Sequence, residues 1–181
     1  MVNRWILQPA FLLWFLPTAL SINYKQLELR QRSSISECLE LLNQMNGPLC
    51  LSYRQNFKIP MEVKHPRQLE KDEAVSVIEV MLQNIFHIFR SNSSSTGWNK
   101  NIIESFLDKL RNEMDFLEEI PENESLTPRN FTTILPLKSY YKRMQEYLEN
   151  HEYSSCSWIV VRTEIRRNFS IMGRLIKIFQ N

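Results

Sequence analysis

The sequence predicts an all-α fold, a bundle of five helices with one long crossover loop, and three observations carry that expectation. Five stretches repeat their apolar residues at helical intervals, no segment alternates with period two as a half-buried strand does, and only 3 of 181 residues are glycine. Scarce glycine argues against tight hairpins, barrels and Gly-rich phosphate loops, which all need positive-φ positions. With 43% hydrophobic and 23% charged residues, the chain is neither disordered nor a polytopic membrane protein. A net charge of +2 offers no electrostatic footing for nucleic acid, whose binders exchange excess cationic charge for counterions.

The first segment to be set apart is the leader. Arg4 precedes an apolar run from Trp5 to Leu16 interrupted only by Gln8 and Pro9, and Ala19 and Ser21 place small residues before a cut after Ser21. That run is too short for a bilayer-spanning helix, which needs about 20 residues. Residues 1–21 are therefore expected to be a signal peptide and 22–181 a secreted helical domain, with no membrane insertion. In an oxidising compartment the odd set Cys38, Cys50 and Cys156 implies one bridge and one free thiol. Sequons occur at Asn92, Asn123, Asn130 and Asn168. The first three are candidate glycosylation sites in turns and loops, whereas Asn168 falls mid-helix beside an apolar stripe and is expected to be unmodified.

In the first helix Ile35, Cys38, Leu39, Leu42 and Met45 form one apolar face, ended by Gly47 and Pro48. Residues 46 to about 70 hold Pro60 and Pro66 without a steady period and read as the crossover. The second helix, Lys71 to Arg90, carries Val75, Ile78, Leu82, Ile85 and Phe89 flanked by Ala74, Met81 and Phe86. After a Ser-rich turn, a third from about Trp98 to Ile120 is marked by Ile103, Phe106, Leu107, Leu110, Met114 and Leu117. The fourth places Leu137, Tyr140, Tyr141, Met144 and Leu148 on one side; because proline is costly in a helix interior, Pro136 is expected in its first turn, with a start near Leu135. The last, roughly Ser157 to Phe179, turns Trp158, Val161, Ile165, Phe169, Met172, Ile176 and Phe179 inward.

Catalytic motifs are missing: there is no G-x-S-x-G, P-loop, dinucleotide fingerprint or H-E-x-x-H. The one Glu-x-x-His string, Glu62 to His65, lies in a Pro-flanked loop, and His87 and His151 lack the partners a metal site needs, so no cofactor and no catalysis are expected. The informative surface is the last helix, where Arg162, Arg166, Arg167, Arg174 and Lys177, with Thr163 and Ser170 between them, lie opposite the apolar stripe. A solvated face would look the same, but arginine is also over-represented among binding anchors.

Several strings resemble the type I interferon family, its beta members most. They are INYKQLEL and QRSS near the mature start, MLQNIF, the pair Phe89–Arg90, SSSTGW, LKSYY, YSSCSW and VRTEIRRNF, in order and from end to end. The resemblance implies a five-helix cytokine fold acting on a two-chain receptor, the type I interferon receptor, and a monomeric ligand is expected. It implies that the first long loop and last helix meet the higher-affinity chain through Leu51, Arg54, Arg162, Arg166, Arg167 and Ser170. The second and third helices would meet the lower-affinity chain through Phe86, Arg90, Glu104, Leu107 and Arg111. It implies a Cys50–Cys156 bridge, leaving Cys38 as a small buried hydrophobe. Arg166 stands where relatives often carry an apolar residue, and Asn99 begins Asn-Lys-Asn where beta-type relatives usually have a sequon. Two further readings of the same residues are a helical cytokine for a different receptor pair and a helical carrier of an apolar ligand.

Overall fold

The computed structural model describes residues 23–66, 69–92, 96–119 and 128–180. The leader, Asn123 and Pro121 lie outside them, as do the side chains of Asn92 and Asn130. The described residues form α1 (Tyr24–Gln44), α2 (Met61–Lys64), α3 (Lys71–Asn92), α4 (Lys100–Glu118), α5 (Pro128–Asn150) and α6 (Ser155–Leu175), with 3-10 turns at Leu51–Tyr53 and Ile176–Gln180. Among them there is no strand. Five long helices thus stand where periodicity places them, apart from the start of α5, and the crossover adds the single turn α2.

Helix starts follow from capping. Asn23 accepts the Gln26 N–H at 3.1 Å, Asn99 that of Asn101 at 2.9 Å, and Ser154 that of Ser157 at 3.4 Å, each satisfying a first-turn donor. At the other end of α1 the Arg162 guanidinium donates to the Leu42 carbonyl at 2.9 Å. Gly47 follows, where a Cβ would collide with the Ile159 side chain, so the chain leaves α1 pressed against α6.

The start of α5 corrects the sequence expectation. The helix begins at Pro128, and Pro136 sits inside it rather than in its first turn. A proline there costs about 3 kcal/mol. Thr133, Leu137, Tyr140, Tyr141 and Met144 are buried around it, while Leu135 and Pro136 face outward. Burying each large apolar side chain returns about 1.5–3 kcal/mol, so packing outweighs the lost hydrogen bond.

Around the bundle, α1 packs on α4 and α6, α3 on α4 and α5, and α5 on α6. Aromatic rings fill the middle: Phe89 lies 4.9 Å from Phe106 and 5.6 Å from Trp158, and Phe106 meets Phe169 at 6.0 Å. All seven inward residues read from the last helix are buried. On α3 the stripe is rotated slightly, so Val77 and Ile88 are buried while Val75 and Phe86 sit half-buried at its flank. On α4 the core face includes Glu113, which accepts from Gln31 Nε2 at 2.9 Å and faces Arg30 at 3.4 Å. Burial raises its carboxyl pKa, and Arg30 opposes that rise.

Two buried features tie the helices beyond apolar packing. In the first, Tyr141 donates to Asn168 Oδ1 at 2.7 Å; Asn168 Nδ2 donates to Tyr140 Oη at 2.7 Å and to the Glu164 carbonyl at 3.0 Å; Tyr140 donates to Glu164 Oε1 at 2.8 Å. Asn168 is fully buried, so the folded chain offers no route for a glycan at that sequon. In the second, Cys50 is bonded to Cys156, 106 positions away in sequence, with Cα atoms 5.5 Å apart. Cys38 is free and buried, and desolvation pushes its thiol up to about 12, which keeps it an unreactive core residue.

Replacing Asn168→Ala strands the Tyr141 hydroxyl in the core and takes a donor from Tyr140, which keeps its bond to Glu164. A loss of about 1–3 kcal/mol is expected in a denaturant titration, and a wild-type midpoint would show the network to be energetically idle. Cys50→Ser removes the constraint on a long loop, for which a cost of about 2–5 kcal/mol is expected. Thiol titration in denaturant should then give two reactive sulfhydryls per chain, Cys38 and Cys156, against one in the parent; three in the parent would refute the bridge.

Candidate interaction surfaces

The first surface is assembled by the disulfide. Cys50 is held against Cys156, just inside α6, so the 3-10 turn Leu51–Tyr53 that follows it lies on the outer side of that helix. Leu51 remains 54% exposed, and Arg54 is exposed with no ion pair or side-chain hydrogen bond among the described residues. On α6 the outer row continues the same surface. Arg167 and Ser170 are exposed, and Arg162 and Arg166 are half-buried, one turn apart.

The charges of this surface are poorly neutralised. Arg167 has only a loose contact with Glu164, at 3.8 Å. The Nε atoms of Arg162 and Arg166 are buried with no hydrogen-bond partner. Desolvation, and then the charge of Arg166, lower the pKa of the Arg162 guanidinium, although the group stays protonated in water. Such a cluster of guanidiniums holds unused donors and a positive potential, both of which suit an acidic protein surface. Arg162 divides its role: one nitrogen caps α1 through Leu42 while the rest of the head group belongs to the row.

The second surface lies across the bundle, where α3 and α4 pack side by side. Phe106 of α4 and Phe169 of α6 meet in the core from opposite sides, so the outer faces of those two helices point apart. Phe86 is half-buried there, with the Arg90 guanidinium 5.9 Å and the Arg111 guanidinium 5.4 Å from its ring centre. Arg111 also pairs with Asp108 at 3.0 Å, and exposed Glu104 pairs with Lys100 at 3.4 Å. Leu107 packs half-buried against the core. Phe86, Arg90 and Arg111 thus form one aromatic–cationic patch, with Glu104 and Leu107 on the same helix pair.

Other exposed groups near the first surface carry no periodic signal. Leu49 is 83% exposed and Met61 60% exposed, and Met61 lines a groove together with Gln55, Ile59, Glu164 and Arg167. Residues in a crossover point wherever the backbone turns them, so hydrophobic patterning could not single them out. Among the described residues no cluster of His, Cys, Asp or Glu is placed to hold a metal ion. No described helix is long and apolar enough to cross a membrane.

Residues 27–179 match the interferon alpha/beta domain. The chain is 51% identical to interferon beta of Mus musculus and 46% identical to interferon beta of Homo sapiens, each over the full length of both chains. Its fold is similar to that of zebrafish interferon 1, with a TM-score of 0.70 at 18% identity over 85% of this chain and 99% of that one. A helical bundle matched along nearly all its described length, with full-length relatives among the interferons beta, belongs to the interferon alpha/beta family of antiviral cytokines, the type I interferons.

Proposed function

We propose that the chain is a secreted, monomeric cytokine, freed of residues 1–21 on export, that brings together the two chains of the type I interferon receptor and so induces antiviral, growth-restraining and immunomodulatory signalling. The higher-affinity chain docks on Leu51, Arg54, Arg162, Arg166, Arg167 and Ser170, and the lower-affinity chain on Phe86, Arg90, Glu104, Leu107 and Arg111. Asn92, Asn123 and Asn130 are the carbohydrate acceptors in this reading.

The observation that supports it best is the joined surface of the loop and α6: an exposed leucine beside a row of under-neutralised arginines, with the Cys50–Cys156 bond fastening the two halves together. An apolar anchor ringed by cations is the make-up of a binding hot spot. A ligand with two separate surfaces acts by what it holds together. Each surface supplies binding energy to a different partner, and the signal is the proximity of the partners.

Arg54→Glu is expected to weaken binding to the immobilised higher-affinity chain by about tenfold or more, with an unchanged melting temperature and unchanged binding to the other chain. Phe86→Ala should do the reverse, and both variants should lose potency in an interferon-responsive reporter cell. Wild-type affinity of Arg54→Glu for both chains would remove the loop from the receptor surface. Arg162 is a poorer probe, because reversing its charge also uncaps α1.

A further inference from the structure

We infer that a line of residues, Arg143 and Tyr147 on α5 and His151 just past its end, positions the receptor-facing loop without itself touching the receptor. The inference rests on the reading above, that this loop binds the higher-affinity chain. The three residues fall at i, i+4 and i+8: Arg143 and Tyr147 share one face of α5, and His151 follows directly after its last residue.

Each grips the crossover. The Arg143 fork donates from Nε to the Phe57 carbonyl at 3.0 Å and from Nη2 to the Lys58 carbonyl at 3.1 Å. Lys58 has φ of 55°, a left-handed conformation that residues with a Cβ disfavour, and its N–H is taken by Asn56 Oδ1 at 3.0 Å. The Tyr147 hydroxyl donates to the Tyr53 carbonyl at 2.6 Å, and its ring takes Phe57 edge-on at 5.3 Å. The His151 ring lies 4.2 Å from that of Tyr147 and 5.5 Å from that of Tyr53.

The placement of these grips gives them their meaning. Leu51 and Arg54 face solvent and cannot order themselves. The backbone between them is instead fastened on one side by Cys50, through the disulfide, and on the other by Tyr53 through Tyr147. Arg143 then secures the next residues, Phe57 and Lys58. A loop held in its binding geometry before the encounter loses less conformational entropy on association. Loosening it leaves only a fraction of molecules competent, so apparent affinity falls by that fraction while the bound contacts stay the same.

The test compares Arg143→Ala, Tyr147→Phe, Arg143→Lys and the exposed control Lys142→Ala in the full mature protein, on each receptor chain immobilised separately. Arg143→Ala and Tyr147→Phe are expected to bind the higher-affinity chain about five- to tenfold more weakly, chiefly through slower association, with unchanged binding to the lower-affinity chain. Arg143→Lys should recover part of the loss, since an ammonium can still reach one carbonyl, and Lys142→Ala should match the parent. Hydrogen exchange at the Tyr53 and Arg54 amides should quicken in Arg143→Ala and Tyr147→Phe. Parent-like association in those two variants while Arg54→Glu is weakened overturns the positioning role alone. Equal losses on both receptor chains overturn it too, by revealing a general folding defect. Parent-like binding by Arg54→Glu as well removes the loop from the receptor surface, and both readings fall together.

Discussion

The Cys50–Cys156 bond is the constraint on which the loop surface depends. The two residues are far apart in sequence: one stands in a crossover held only by short helical turns, the other at a helix start. Joining them makes the crossover an extension of α6. Loop residues then inherit the rigidity of a helix whose inner face is buried along its whole length. In an exported domain such a link persists, because the compartment is oxidising.

Stability and the proposed recognition share atoms at several points. Arg162 caps the end of α1 through Leu42 and contributes to the cationic row. Glu164 anchors the Tyr140 hydroxyl in the buried network while touching Arg167 at the surface. A helix that must bury one face and present the other has few positions to spare, so flanking residues serve both sides. Substitutions on this surface therefore divide into those that change only an exposed head group, such as Arg54, and those that also disturb the bundle.

The interior shows how the bundle tolerates costly choices. Pro136 breaks the hydrogen-bond ladder of α5, Glu113 brings a carboxyl into the α1–α4 seam, and Asn168 buries an amide. Each is offset locally: by apolar packing around the proline, by Gln31 and Arg30 around the glutamate, and by two tyrosine hydroxyls around the asparagine. The polar groups also restrict how the helices can slide, since a shift of one turn would leave them unpaired in a medium of low dielectric.

What could be read from the chain alone was whatever repeats. The inward stripe of α6, the end of α1 at Gly47 and Pro48, the all-α class and the place of Asn168 beside that stripe all follow from a helical period that local residues enforce. The resemblance of strings such as VRTEIRRNF supplied the family. Pairwise outcomes were not legible. The interior position of Pro136 depends on what Leu137, Tyr140 and Tyr141 bury against; the grip of Arg162 on Leu42 spans 120 residues; and the hold of α5 on the crossover joins Arg143 to carbonyls 85 and 86 positions away. A local pattern specifies which side of a helix is apolar. Only the assembled bundle decides which backbone atoms of an aperiodic segment come within a hydrogen bond's reach, because that depends on the packing of every helix at once.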